Sequence, residues 1–259
     1  MICKICNSDA IPQFRATVLN KYEVQYFKCS QCGFLFTEEP YWLNEAYSRA
    51  INITDTGILD RNLRFSKVVS VLIYFLFNKE GKFVDYAGGY GIFTRLTRDI
   101  GFDFYWQDLH CDNLLSRGFE YKPELRKNIE LLTAFEVFEH LVNPPEEIEK
   151  MLGISKNIVF STVLLPSPTP KPEEWWYYGF EHGQHISFYS LKTLEYLAVK
   201  FKLDFYSTKG LHILTNKKIN PFFLKLIAAL SNYGLSLLVE NNMKSKTWND
   251  YLLLKRNPD

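Results

Sequence analysis

Four of the chain's five cysteines fall into two C-x2-C pairs, Cys3/Cys6 and Cys29/Cys32. Thiolates two residues apart on a tight turn can grip one ion, and two such turns complete a tetrahedral S4 shell, the pattern of a zinc site. Four protein ligands leave no open position for water, so the expected role is structural. Gly33, directly after Cys32, lets the chain curl so that backbone N–H groups point at sulfur. The competing reading is a disulfide framework. The fifth cysteine, Cys111, and an N-terminus without the apolar run of a secretory signal argue against it.

A second constellation is Phe83-Val84-Asp85-Tyr86-Ala87-Gly88-Gly89-Tyr90-Gly91-Ile92-Phe93. A short apolar strand ends in an acid, a small-residue loop follows, and a helical pattern begins at once. That order suits a nucleotide-type ligand, because glycine removes the Cβ that would block a close approach to the main chain. Asp108 lies about one βαβ unit further on, the usual place for a carboxylate that holds ribose hydroxyls. The dinucleotide fingerprint G-x-G-x-x-G fits poorly; D-x-G-x-G-x-G fits better, with Ala87 where the first glycine would stand. The loop alone also reads as an ordinary strand-to-helix turn.

A third group is Glu181, His182, Gln184 and His185, crowded into one loop. Imidazole is the side chain best matched to proton transfer near neutral pH, so a base is expected here. The alternative is that both histidines pin the loop by hydrogen bonds. Just before them, Trp175, Trp176, Tyr177 and Tyr178 offer flat faces to sugar C–H surfaces or to bases, or else cover the edge of the core.

These groups need elements to position them. Val18 to Phe27 and Phe34 to Phe36 read as strands of an N-terminal module, residues 1–40, and residues 41–259 as an α/β domain. Pro40 to Thr56 reads as a linker whose Tyr41, Trp42 and Tyr47 can line a cleft. A helix is expected over Arg61–Phe77 with apolar positions at Leu63, Val68, Leu72, Phe75 and Leu76. Strands follow at 83–86, 102–107, 129–134, 157–165 and 202–214. A final antiparallel strand is expected at Asn249–Arg256, after a helical insertion at about 219–247. Ser190 is placed to cap the helix Leu191–Phe201.

The segment Glu136-Val137-Phe138-Glu139-His140-Leu141-Val142-Asn143-Pro144, following a buried strand, resembles the motif after strand 4 of class I S-adenosylmethionine (SAM) methyltransferases. The likeness is strongest to the branch of sugar C-methyltransferases, in which a zinc-binding module also precedes the core and is similar over Tyr26–Phe36. It covers Cys3 to about Leu203. It implies a Rossmann-like, doubly wound, seven-stranded sheet with strand 7 antiparallel. Asp85 with Ala87, Gly88, Gly89 and Gly91 would hold the methionine end of SAM. Asp108 would take the ribose with Leu109 beside it, Phe135 and Glu136 would border the adenine or sulfonium, and Tyr47 would close over the cofactor or pack. Glu139 and His140 are expected to fix the helix start after strand 4. The branch carries a Glu-His pair ahead of a segment similar to Phe188-Tyr189-Ser190. On that match His185 takes the histidine place and Gln184 the glutamate place. An amide cannot accept a proton, so deprotonation at carbon would need Glu181 or His182 to assist His185.

Thirty Lys and Arg against 29 Asp and Glu leave a net charge of +1, which gives no basic footprint for a nucleic acid. The apolar stretch Pro221–Val239 contains Lys225, Asn232 and Gly234 and reads as amphipathic rather than as a membrane span. Its uses include covering the site, pairing with a second subunit as a homodimer, or lying on a membrane surface. The expectation is a cytoplasmic, SAM-dependent methyltransferase with structural zinc. Its acceptor would be a small hydroxylated molecule, a sugar or nucleotide sugar, with Trp175, Trp176, Tyr177, Tyr178 and Gln184 contacting it. The alternatives are an RNA methyltransferase with a zinc module and a non-catalytic SAM-binding or zinc scaffold protein.

Overall fold

The computed structural model describes residues 1–48, 51–122, 124, 128–208 and 210–256. Residues 49–50 of the expected linker and residue 209 of the expected sixth strand lie outside that range. The strands form a four-stranded sheet, in order β1-β2-β3-β8, and a mixed six-stranded sheet, in order β5-β4-β6-β7-β10-β9. The chain divides into two compact units, residues 1–52 with 135–153 and 159–216, and residues 53–134 with 154–158 and 217–259. The N-terminal module is therefore part of a larger unit.

In the first unit, β1 (Ala10–Val18) and β2 (Tyr22–Cys29) pair antiparallel. Leu19 and Asn20 turn between them at φ of 55° and 54°, the mirror-image turn that matches the twist of the strands. Next come β3 (Leu35–Thr37) and the one-turn helix α1 (Leu43–Ala46). The same unit holds α4 (Pro144–Leu152) and β8 (Ser187–Phe188). It also takes α5 (Leu191–Phe201), whose N-cap Ser190 accepts from the Thr193 N–H at 3.2 Å. Its core gathers Val18, Val24, Tyr26, Leu35, Trp42, Trp175, Tyr177, Tyr178 and Phe188.

The second unit holds α2 (Ile58–Leu76), β4 (Lys82–Tyr86), α3 (Ile92–Ile100), β5 (Asp103–Gln107) and β6 (Ile129–Ala134). β4 lies between β5 and β6, parallel to both. Buried on both faces, β4 reads as an unbroken apolar run up to Asp85, as parallel strands do. α2 buries Phe65, Val69, Leu72 and Ile73, while Leu63 and Phe75 of the expected stripe are exposed. The helix is packed on more than one side, by α3 and by α6 (Pro221–Leu230) and α7 (Leu235–Asn242), which shifts its buried face.

The expected topology needs three corrections. β7 (Ile158–Ser161) is shorter than expected, and the expected sixth strand is a hairpin of β9 (Asp204–Ser207) and β10 (Leu211–Thr215), paired antiparallel. The expected antiparallel strand 7 at Asn249–Arg256 is part of α8 (Thr247–Arg256). Apart from Thr247 this stretch has no β-branched residue, and Leu, Lys and Arg favour helix. The helices α6, α7 and α8 thus follow the last strand, β10, and the expected insertion between strands 6 and 7 is instead helix after the sheet. Among the described residues, the outer edge of β5 carries one parallel bridge, Trp106 to Glu120, in place of a seventh strand. The expected amphipathic helix is broken, α6 and α7 meeting at 84°. No single helix among the described residues is long and apolar enough to cross a membrane, though this bent pair passes on length and composition.

Candidate active site

After Asp85 at the end of β4, the chain passes through Ala87, Gly88, Gly89 and Gly91 into α3. Ala87, Gly89 and Gly91 have φ of 54°, 54° and 80°. Glycine takes this left-handed region freely, whereas Ala87 bears a cost of about 1 kcal/mol. Gly91 is the N-cap of α3 and supplies no side-chain acceptor, while the Thr94 backbone N–H in the first turn is turned to Asp85. A Cβ on Gly88 would lie 2.6 Å from Asp85 Oδ2 and 2.9 Å from Trp106 Cδ1. One on Gly91 would sit 2.7 Å from Asn113 Oδ1 and collide with Ser116 Oγ. At these two positions the glycines make room for the protein's own packing, a reason the sequence reading did not give.

Asp85 is buried, 2 % exposed. The Thr94 hydroxyl donates to its Oδ2 at 3.0 Å and the Thr133 hydroxyl to its Oδ1 at 3.1 Å. Burial pushes its pKa up to about 7, while the Thr94 and Thr133 hydroxyls pull the other way and nearby Asp108 adds to the rise. Asp85 thus ties the start of α3 and strand β6 to the end of β4.

Asp108 follows β5. Its Oδ2 accepts from the Gly89 N–H at 2.9 Å, and its Oδ1 accepts from the N–H groups of His110 (2.7 Å) and Cys111 (2.9 Å). The Trp106 indole donates to the Gly89 carbonyl at 2.8 Å, and the Gly88 N–H donates to the Gln107 carbonyl at 3.0 Å. The N–H groups of Leu114 and Leu115 donate to the Tyr90 carbonyl at 3.2 and 3.1 Å. Around this frame stand four exposed apolar side chains, Tyr90, Leu109 (82 % exposed), Leu114 and Leu115. A carboxylate, the positive end of a helix and exposed apolar surface fit, respectively, a ribose diol, an α-carboxylate and a purine face. Gln107 Oε1, buried and without a hydrogen-bond partner, adds an acceptor.

The other unit gathers a different set. Glu139 is fully buried, and neither carboxylate oxygen closes a hydrogen bond of ordinary geometry. Burial, and then the charge of Glu136, push its pKa up to about 8, with the Tyr177 and Thr162 hydroxyls opposing the rise. His140 Nδ1 lies 3.1 Å from the Gln184 carbonyl and 3.0 Å from the Tyr47 hydroxyl. Burial lowers its pKa to about 4. His185 Nδ1 lies 2.6 Å from the Tyr177 carbonyl, and burial holds it well below 6.5. The Ile186 N–H donates to the Glu139 carbonyl at 2.9 Å, aligning the two segments. Glu136 is in the left-handed region at φ 54°. Its N–H donates to Ser161 Oγ at 2.8 Å, and that hydroxyl donates back to Glu136 Oε1 at 2.6 Å. Phe135 is half-buried beside it in sequence.

Several expected site residues have other work. Gln184 is buried and donates to the Ala46 carbonyl at 2.9 Å, so it braces α1 rather than facing a substrate. His182 Nδ1 accepts from the Gln184 N–H at 3.1 Å, which leaves its proton on Nε2, and its ring centroid lies 4.7 Å from that of His185. Trp175, Tyr177 and Tyr178 are buried in the core; of the four aromatics only Trp176 is free, at 79 % exposed. Trp175 and Trp176 line a shallow depression with Glu173, Glu174, Phe180 and Glu181. Glu181 therefore belongs to this depression, not to the Glu139–His140–His185 group.

The four cysteines converge, their sulfurs within 4.8 Å of one another. Cys3 and Cys32 Sγ are 3.6 Å apart, Cys6 and Cys29 Sγ 3.4 Å, and the Cys32 N–H points at Cys29 Sγ at 3.5 Å. A tetrahedron with Zn–S bonds of ~2.3 Å has edges of roughly 3.8 Å, so the donor set fits zinc. All four thiols are free, against the disulfide reading.

The profile of the family described as "Methyltransferase domain" matches residues 60–207. The chain belongs to that family. Among solved structures, this methyltransferase chain is similar to an O-methyltransferase family 2 protein from Planctomyces limnophilus, in complex with apigenin. Identity is 16 %, coverage 66 % of this chain and 64 % of the other, and the TM-score 0.42. It is also similar to an O-methyltransferase family protein from Burkholderia thailandensis (13 % identity, 69 % and 68 % coverage, TM-score 0.43). A third is CalO1, a methyltransferase in calicheamicin biosynthesis, in its SAH-bound form (12 %, 67 % and 58 %, 0.41). The chain spans about six tenths of the length of the first and third of these. Compared with curated proteins, it matches none.

Within the methyltransferase domain, then, one unit brings Asp85, Ala87, Gly88, Gly89, Gly91, Asp108 and Leu109 together. The other brings Tyr47, Glu139, His140 and His185 together and holds Phe135, Glu136 and Trp176. Sequence reading missed Trp106, Asn113, Ser116, Thr94, Thr133 and Ser161. Threonine and serine in strands and helix starts carry no distinctive spacing. Trp106, two residues before the acid that ends β5, was the one visible signal.

Proposed function

We propose that the protein is a SAM-dependent methyltransferase whose acceptor is a small hydroxylated molecule, a sugar or nucleotide sugar. The observation that carries the reading is the Ala87–Gly91 loop, left-handed at three residues and leading into the start of α3, with the Asp108 carboxylate seated on its Gly89 N–H. SAM supplies an electrophilic methyl group on a sulfonium. First-turn N–H groups of α3 would bind its carboxylate, Asp108 the ribose hydroxyls, and Leu109, Leu114 and Tyr90 the adenine. In-line displacement needs little from the protein beyond alignment and a dry setting, worth several kcal/mol.

The sugar reading rests on Trp176, whose bare ring can cover C–H surface, beside Glu173, Glu174 and Glu181, whose carboxylates accept from hydroxyls. Loss of the acceptor proton falls to the buried group of Glu139, His140 and His185. Burial keeps both imidazoles neutral, and no other place in that unit joins neutral imidazole to an unpaired carboxylate among the described residues. The four cysteines would hold a structural zinc. Exposed Phe222, Leu226, Tyr233 and Leu237 support self-association through the C-terminal helices, read by sedimentation equilibrium.

The test is incubation of the full chain with SAM and a panel of free and nucleotide-linked sugars, following S-adenosylhomocysteine and a mass gain of one methylene on the acceptor. Methylation of an RNA substrate instead, weakened steeply by salt, would move the assignment to nucleic acid. SAM binding without turnover on any panel would favour the non-catalytic reading.

A further inference from the structure

Glu139, His140 and His185 each place a donor atom within 4.8 Å of the other two. Three features of this group fit a metal site. First, the Glu139 carboxylate is wholly buried and neither oxygen closes a hydrogen bond of ordinary geometry, the Tyr177 and Thr162 hydroxyls being its nearest donors. An acid taken out of water with such weak partnering is costly, and such groups are paired or coordinate a cation. Second, both imidazoles have Nδ1 against a main-chain carbonyl, Gln184 at 3.1 Å for His140 and Tyr177 at 2.6 Å for His185. A carbonyl only accepts, so Nδ1 carries the proton in each ring and the lone pair is left on Nε2. This outer contact is the one that fixes tautomer and orientation in metal-bound histidine. Third, the three residues are held from two segments locked by the Ile186 N–H to Glu139 carbonyl bond and the Ser187 hydroxyl to Leu141 carbonyl bond (2.7 Å).

We propose that Glu139, His140 and His185 bind a divalent first-row transition cation, at a site separate from the four cysteines. Two imidazoles and one carboxylate suit zinc, manganese, iron or cobalt, and leave positions open for other ligands. Bonds of about 2.0–2.2 Å put neighbouring ligand atoms roughly 3–3.5 Å apart, so the group closes by about 1 Å on binding. A cation here occupies the Nε2 lone pairs, so proton acceptance at this group would pass to a hydroxide it binds or to the other Glu139 oxygen, and metal content rather than turnover tests the site.

The full chain would be stripped of metal, loaded with Co2+, and its metal counted per chain alongside its absorption spectrum. The expected result is two equivalents, one with intense thiolate-to-cobalt bands and one with only weak visible bands. His185→Gln and Glu139→Gln should each lose one equivalent and the weak bands while keeping the thiolate bands. Where a variant fails to fold, pulsed electron paramagnetic resonance of Cu2+ added to wild-type chain carrying a single equivalent of zinc, held by the cysteines, gives the answer, expected to show coupling to two imidazoles. One equivalent in the wild type with thiolate bands alone, a second equivalent surviving both substitutions, or Cu2+ without two-imidazole coupling would overturn the proposal.

Discussion

Asp85 is a carboxyl group held where its charge is costly. Its pKa is about 7 in the folded chain against an ordinary 3.8. A raised pKa means that the folded state binds the proton more tightly than the unfolded state. Stability from this group is therefore fully present below about pH 4 and is lost as pH rises through about 7. The loss is on the order of 4 kcal/mol. Asp85→Asn should remove this slope. Urea denaturation between pH 4 and 8 should show the wild type losing stability relative to the variant as pH rises, and parallel curves would contradict the assignment. Ala87 is the other residue under strain. At φ 54° it occupies a backbone region that glycine takes freely. Ala87→Gly should stabilise the chain by about 1 kcal/mol, seen as a higher melting temperature, without weakening ligand binding.

The C-terminal helix α8 shows how an element can be misread from its own residues. Asp250 is buried, and its Oδ1 and Oδ2 accept from Arg98 at 2.7 and 2.8 Å, with Arg95 at 3.0 Å on Oδ2. Arg98 also reaches Asp103 at 2.9 Å and lies over the Phe119 ring at 3.7 Å. That anchor is long-range, invisible in the run Tyr251-Leu252-Leu253-Leu254, which reads equally as strand or helix. Asp250→Ala strips a buried guanidinium of its main partner and should cost about 3 kcal/mol in chemical denaturation, whereas an exposed change such as Lys255→Ala should cost far less. The local elements were legible where one face or one turn dictated them. The Asp85–Gly91 strand-loop-helix, the two cysteine turns and the Ser190 cap all appear where expected. What escaped was set by contacts across the sequence, namely the β9–β10 hairpin, the helix at 247–256 and the inward turn of Trp175, Tyr177 and Tyr178. Gln184 braces the Ala46 carbonyl, a contact its letter could not announce, because polar residues in a loop signal reactivity and loop bracing alike.

At the scale of the whole chain, chemistry is divided between two compact units. One supplies the cofactor-type loop, the other the buried acid with two neutral imidazoles and the cysteine cluster. If zinc holds the cysteine cluster, a strong chelator should lower the melting temperature of the intact chain and zinc should restore it. The central claim is that main chain at residues 87–91, with Asp108, binds SAM. Isothermal titration calorimetry of SAM into the full chain, beside Gly91→Val, measures it most directly. The account predicts one SAM per wild-type chain and at least a hundred-fold weaker binding in Gly91→Val, whose side chain meets Ser116 and Asn113 and cannot keep φ 80° without strain. Equal binding by both chains, or none by the wild type, would contradict it.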